Sequence, residues 1–245
     1  PPHPKPLPFD RAKYLTTAKR RKIISFDIFD TCLLRTTQRP TDVFLIVESL
    51  VDIRVQGEAI PFARARELAE KNARKNAIGG EVTFDAIYQA FETLLPISHE
   101  EVVLYPNKII QELYKELKQA GKRIIFISDM YFPKEILNDL LLKNGFEADE
   151  IYVSCEYQKN KHDGELYDLV LSKEAVIGPD ILHFGDNYRS DIEQAQQRGL
   201  KIGHFHNAYL PQSYFNNCLR AQKYTANRDI TSCAVGLAQK NRLSQ

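Results

Sequence analysis

The chain of 245 residues lacks the features that mark secreted, membrane-spanning or nucleic-acid-binding proteins. Its four cysteines, Cys32, Cys155, Cys218 and Cys233, stand far apart with no CxxC and no Cys/His metal spacing, the usage of a reduced intracellular protein with free thiols. No stretch approaches the ~18 continuous apolar residues of a membrane span, and the N-terminus carries no apolar core of a signal peptide. Charge of one sign is missing too. The 33 Lys and Arg nearly cancel the 32 Asp and Glu, leaving a net +1, so neither nucleic acid nor an anionic membrane is implied as partner. Internal repeats are absent, and the expected location is the cytoplasm.

What is present is a set of apolar runs that end in acids and hydroxyls. Ile23 to Phe26 runs into Asp27, with Phe29, Asp30 and Thr31 close behind. Arg123 to Ile127 runs into Ser128-Asp129, Ile151 to Val153 into Ser154-Cys155-Glu156, and Ile181 to Phe184 into Gly185-Asp186. Runs of this length and composition read as buried strands of a parallel sheet, whose carboxyl ends are where open α/β folds place their chemistry. Helical periodicity fills the intervals: Ile109 to Ala120 closed by Gly121, Pro133 to Asn144 closed by Gly145, Leu166 to Ser172, and Asp191 to Arg198 closed by Gly199, before a last strand at 201–205. The expected fold class is therefore α/β, a doubly wound parallel sheet.

Between the first strand and the rest lies a stretch with helical rhythm and almost no strand signal. Thr41-Asp42-Val43-Phe44 opens one helix, Phe62, Ala65, Leu68 and Ala69 share a face of a second, and Thr83 opens a third that carries Ile87, Ala90, Phe91 and Leu94. The expected division is a proline-rich lead-in at 1–20, a core at 21–36 and 105–206, an all-helical insert at 37–104, and a weakly helical extension at 207–245. The opening Pro1 to Pro8 reads as a semi-rigid spacer within a longer polypeptide.

Taken singly, these acids are unremarkable: Asp before Thr is a common cap, and Gly-Asp-Asn a common turn. Taken in order, Asp27-Ile28-Phe29-Asp30-Thr31, Ser128-Asp129, Lys161 with Gly164 to Tyr167, and Gly185-Asp186 through Asp191 resemble the haloacid dehalogenase-like (HAD) hydrolase superfamily over residues 22–205. The resemblance implies a Rossmann-like core with a helical cap and a phosphate-ester hydrolysis in which Asp27 is the nucleophile. It implies that Thr31 and Ser128 hydrogen-bond the phosphate, that Lys161 neutralises charge, and that Asp191 orients Lys161 or a metal-bound water. It also implies Mg²⁺ held by Asp27, Asp186 and the Phe29 carbonyl, a hard cation with oxygen ligands. Asp129, Tyr131 and Asn187, beside the strand ends, are the expected substrate contacts; Lys159 is the rival of Lys161, and His162 and Asp163 read as loop.

One position departs from the pattern. Most phosphatases of the superfamily carry a general acid two residues after the nucleophile, where this chain has Phe29; Asp30 is an extra carboxylate one step further on. Three readings follow: a Mg²⁺-dependent phosphatase in which Asp30, a cap residue or the substrate supplies the proton; a dehalogenase, whose relatives share an aromatic residue there; or a binding module on the same fold. The form of the motifs further resembles a bacterial subgroup found beside or fused to glycosyltransferases of surface-polysaccharide assembly. That resemblance implies a sugar phosphate or phosphorylated glycan as substrate and a glycosyltransferase-type neighbour. In the insert, Arg64, Arg66 and Arg74 alternate with Glu67 and Glu70 and read as a solvated, ion-paired face, while Phe44, Tyr88 and Phe91 read as its core. Cys32 and Cys155 fall beside the expected site.

Overall fold

The computed structural model describes residues 9–35, 40–50, 61–77, 80–89 and 104–205; the proline-rich opening, Phe91 and Leu94, Cys218, Cys233 and the C-terminal extension lie outside them. The described residues divide into two compact units, one running to Leu33 and resuming at Asn107, the other from Leu34 to Pro106.

In the first unit, helix α1 (Arg11–Lys19) precedes strand β1 (Ile23–Phe26). A two-stranded sheet follows at β2 (Leu33–Arg35) and β3 (Leu104–Pro106), the ends of the second unit's segment, which holds α2 (Val43–Leu50), α3 (Phe62–Asn76) and α4 (Phe84–Tyr88). The alternation then resumes with α5 (Lys108–Gln119), β4 (Arg123–Ser128), α6 (Lys134–Lys143), β5 (Glu150–Val153), α7 (Ser154–Tyr157), α8 (Glu165–Lys173), β6 (Ile181–Gly185), a π-helix (Tyr188–Glu193), α9 (Gln194–Gln197) and β7 (Lys201–His204). The five long-range strands form one parallel sheet in the order β5-β4-β1-β6-β7, so β1 is central and the chain winds outward on both sides of it.

Strand periodicity of two sorts the side chains onto two faces. Phe26 pairs in register with Phe126 and Phe184, and the three rings lie 5.1–5.9 Å apart across β4, β1 and β6. Tyr114 from α5 and Tyr14 from α1 meet that row edge-on, and Phe9 closes it against Phe205. On the opposite face Ile23, Ile125, Ile127 and Ile181 pack with Leu166, Tyr167 and Val170 of α8 and with Ala195 of α9. Strands β1 and β6, covered on both faces, are apolar except at their carboxyl ends and at one paired polar position, Ser25 of β1 opposite His183 of β6.

The strands and most helices match the sequence reading within a residue or two. Five elements differ. Helix α1 stands where a lead-in was expected, its Arg11 paired with Glu112 and Glu116 of α5. The strand pair β2–β3 bounds the insert that carried almost no strand signal, each strand being only three residues long. The short α7 follows β5 directly. The expected α-helix at 191–198 starts earlier, as a π-helix at Tyr188 that tightens into α9.

In the second unit α3 buries Phe62, Ala63, Arg66 and Ala69, and Leu68, one residue off that line, is exposed. Arg66 is not on a solvated face: it is 0% exposed, with its guanidinium 4.6 Å from the Phe44 ring and 5.1 Å from the Tyr88 ring. It donates to the Tyr88 hydroxyl and to Glu70. The flat, weakly hydrated guanidinium stacks between aromatics where a lysine would not. Arg74 does pair with Glu70 in the expected i,i+4 manner.

Candidate active site

Asp27 sits one residue beyond β1, where its amide still donates to the Phe184 carbonyl at 2.8 Å and holds the side chain at the sheet edge. The chain then turns sharply, the Ile28 carbonyl accepting from both Cys32 and Leu33 amides, with Asp30 at a φ of +62° inside the turn. Asn107, the buried N-cap of α5, clasps that turn. Its Nδ2 donates to the Thr31 carbonyl at 2.8 Å, its own amide donates to the Cys32 carbonyl at 2.8 Å, and its Oδ1 accepts from Ile109.

Three further segments converge on Asp27. The ammonium of Lys161 donates to Asp27 Oδ1 at 2.5 Å and to Asp191 Oδ1 at 2.6 Å, and is only 3% exposed. Asp191 comes from the π-helix, and its approach is possible because residue 185 has no side chain: a Cβ on Gly185 would meet the Asp191 carboxyl group. Asp186 follows Gly185, and its Oδ1 accepts from the Thr31 hydroxyl at 3.4 Å. Carboxylate oxygens of Asp27, Asp186 and Asp191 lie within 4.8 Å of one another. Ser128, the last residue of β4, is buried at the same edge of the sheet.

So many charges in a buried site cannot all be balanced by one lysine. Burial pushes the Asp27 carboxyl up to about 7, with Lys161 pulling it down and Asp191 pushing it up again. Burial likewise raises Asp186, to about 8, reinforced by the charges of Asp27, Asp30 and Asp191. Asp191 behaves oppositely. Burial would raise it, but Lys161 and His183 outweigh burial and hold it well below the ordinary carboxylate range. Lys161 stays charged although burial opposes it, because Asp191 and Asp27 flank it. Asp191 already takes Lys161 on Oδ1 and the Asn187 amide on Oδ2 at 3.0 Å, which ties it to the lysine and leaves Asp27 and Asp186 as the carboxylates with spare oxygen donors.

The other sequence candidates fall into different places. Lys159 is at the surface, 3.4 Å from Glu165, while Lys161 is the lysine placed beside Asp27 and Asp191. Asp129 accepts the Lys161 amide at 2.8 Å and so holds the loop that carries the lysine. Asn187 caps the π-helix, its Oδ1 accepting from the Arg189 and Ser190 amides at 3.1 Å. Tyr131 is 8% exposed with its ring against Phe132, whereas Tyr188, which the sequence reading passed over, is 70% exposed two residues after Asp186. His162 and Asp163 are exposed loop residues. Cys32 and Cys155 are buried thiols outside any disulfide, and burial together with Asp27 pushes the Cys32 thiol well up, away from reactivity.

Sequence reasoning also missed Asn107 and His183. Each is fully buried, and a polar residue placed in an otherwise apolar strand or immediately before a helix is the one signal that marks them.

No family model matches the sequence. Among solved structures, L-2-haloacid dehalogenase from Xanthobacter autotrophicus, with chloropropionic acid covalently bound, superimposes with a TM-score of 0.55 at 15% identity, covering 86% of each chain. A HAD family enzyme from Bacteroides thetaiotaomicron, an Asp-to-Ala mutant in complex with magnesium and inorganic phosphate, gives 0.50 at 12% identity, covering 75% of this chain and 93% of the other. At these identities the likeness is one of fold alone. The chain has the fold of the HAD hydrolases.

Proposed function

We propose that the protein is a Mg²⁺-dependent phosphomonoester hydrolase that works through an aspartyl-phosphate on Asp27. The observation that carries this reading is the packing of three carboxylates within 4.8 Å of one another around a single buried lysine at the carboxyl edge of the central strands. That arrangement holds more negative charge than Lys161 neutralises; burial, and secondarily the neighbouring carboxylates, raise the Asp27 and Asp186 carboxyls. Asp27, Asp186 and the Phe29 carbonyl would hold the ion, an all-oxygen donor set suited to magnesium. When bound, Mg²⁺ supplies the positive charge that lets a carboxylate approach a phosphate dianion. The magnesium and phosphate in the Bacteroides structure of the same fold support this choice of ion and ligand.

In this reading a carboxylate oxygen of Asp27 bonds to phosphorus as the ester P–O bond breaks, and water later displaces the aspartate to release inorganic phosphate. Thr31 and Ser128 donate to the phosphate oxygens, and Lys161 balances charge on both nucleophile and phosphate. Phe29 cannot donate a proton to the departing oxygen. Asp30, held in the turn after Asp27 and close enough to raise its carboxyl, takes that role, and anomeric sugar phosphates need it least because their leaving oxygen is a weak base. We infer a sugar phosphate or phosphorylated glycan as substrate, in capsule or polysaccharide assembly beside a glycosyltransferase-type neighbour in a longer chain. This finer assignment is supported by sequence resemblance alone. Buried thiols outside any disulfide fit a cytoplasmic location.

Phosphate release from sugar, nucleotide and small-alcohol phosphates, with and without Mg²⁺, tests the reading against Asp27→Asn. Release that requires both Mg²⁺ and Asp27 is expected, with sugar phosphates preferred. Phe29 and the fold shared with the Xanthobacter enzyme support one competing reading, a 2-haloacid dehalogenase. Metal-independent chloride release from 2-chloropropionate would establish it. Neither activity, with phosphate still binding, would point to a non-catalytic module.

A further inference from the structure

We propose that His183, buried in the middle of the sheet, is a positioning residue locked as its Nε2–H tautomer, whose N–H fixes the Asp191 carboxylate that in turn places Lys161. The inference rests on the reading of Lys161 and Asp27 as catalytic partners, but its first test does not.

His183 lies on β6 directly opposite Ser25 of β1, on the face covered by α8, and both are 0% exposed. Its Nδ1 is 2.9 Å from the Ser25 hydroxyl. Its Nε2 is 3.0 Å from the Tyr167 hydroxyl and 3.5 Å from Asp191 Oδ1. The Tyr167 hydroxyl is also 3.1 Å from the Ser190 carbonyl, which can only accept.

Counting hydrogens settles the tautomer. Tyr167 has one hydroxyl hydrogen. If it went to Nε2, the Ser190 carbonyl would face a bare phenolic oxygen, and the occupied Nε2 lone pair would point no hydrogen at a carboxylate 3.5 Å away. If Nε2 carries the hydrogen, it serves Tyr167 and Asp191, Tyr167 serves Ser190, and Ser25 donates to Nδ1. Every buried polar atom is then satisfied, and the other assignment leaves acceptors facing acceptors, which a buried site does not sustain. Burial also holds the imidazole toward its neutral form.

The consequence is a chain of polar contacts running from the centre of the sheet to its edge: the Ser25–His183 hydrogen bond, the longer 3.5 Å approach of His183 Nε2 to Asp191, and Lys161 between Asp191 and Asp27. His183 thus has no place in the chemistry itself. It removes a degree of freedom from Asp191, as outer-shell donors orient metal ligands elsewhere.

Long-range ¹H–¹⁵N correlation of the imidazoles in the ¹⁵N-labelled full chain at pH 8 tests this directly, with the His183 signals among six histidines assigned by their loss in His183→Gln. A hydrogen on Nε2 and a bare Nδ1 are expected, as is a shifted Nε2 resonance in Asp191→Asn. A hydrogen on Nδ1, a doubly protonated ring, or a resonance indifferent to Asp191→Asn would overturn the proposal, whatever the enzyme does. On the substrate that the wild type hydrolyses best, His183→Leu should lower kcat by ~10- to 100-fold, the usual cost of losing an outer-shell donor. KM should stay within about twofold, since binding contacts are untouched. His183→Gln, which keeps an N–H, should recover most of the loss; equal losses in the two variants would count against positioning. If the wild type releases no phosphate, the functional reading fails and the spectra still decide the tautomer and the Asp191 link.

Discussion

In the proposed reaction Asp27 and Asp30 divide the labour of nucleophile and general acid. The turn after Asp27 puts Asp30 at a φ of +62°, a conformation an aspartate tolerates better than most side chains, and its charge reaches both Asp27 and Asp186. If Asp30 protonates the leaving oxygen, its importance must track the basicity of that oxygen. Asp30→Asn should cut kcat/KM for alkyl phosphates by ~10²- to 10⁴-fold, the range for loss of a general acid, while barely changing turnover of aryl or acyl phosphates. A plot of log kcat/KM against leaving-group pKa for both proteins reads this out: the variant's slope should be steeper. Parallel slopes would assign the proton to the substrate or to the second unit.

At the level of elements, the legible part of the molecule is its alternation. Apolar runs ending in Asp27, Ser128-Asp129 and Gly185-Asp186 mark strands because a strand covered on both faces is mostly apolar along its length, and their order places the acids on one edge. What escaped has a common cause. Helix α1 is held by distant aromatic contacts of Phe9 and Tyr14, β2 and β3 are three residues each, the π-helix depends on Asp191 turning inward, and Arg66 is buried because rings from α2 and α4 receive it. None of these leaves a periodic local signal. The loop bearing Lys161 shows the same tertiary control. Gly164 opens α8 at a φ of +82°, and the Arg198 guanidinium covers it while bonding Asp168 and the Asp163 carbonyl. Gly121 has a similar φ of +70° with nothing near its missing side chain. Gly121→Ala should therefore cost only the left-handed strain, about 1 kcal/mol, with kcat unchanged. Gly164→Ala carries the same strain and also pushes aside the Arg198 guanidinium, the far end of a flexible side chain, with its bonds to Asp168 and the Asp163 carbonyl, so it should cost about 1 kcal/mol more. It should also lower kcat by displacing Lys161. Thermal unfolding and steady-state kinetics of the two variants separate strain from positioning.

Across the whole molecule, two groups of carboxylates set opposite pH dependences. Around the first residues of β4 and β5, Glu174 is lowered by its hydrogen bond to Arg123, while Asp149 and Glu150 are lowered despite burial by the Ile124 amide and Lys118 and by Lys134. Groups with a depressed folded pKa give stability that is present above the unfolded value and lost as pH falls through the folded one, so this end of the sheet weakens in acid, below pH ~4. At the other end Asp27 and Asp186 are raised to about 7 and about 8. Their contribution is fully present below the ordinary carboxylate pKa and is lost as pH rises through those values, because the folded state must then hold unpaired negative charge. The metal-free protein should accordingly reach its highest Tm near pH ~5 and lose stability steadily toward pH ~8.5. Mg²⁺ competes with protons for the same oxygens, so its stabilisation should be small at pH ~6 and grow toward pH ~8.5, cancelling the alkaline decline. Differential scanning with EDTA or with Mg²⁺ across that range measures both effects, and Asp186→Asn should abolish the metal-dependent rise while sparing the acid limb. A Mg²⁺ shift that is constant with pH would place the ion away from Asp27 and Asp186.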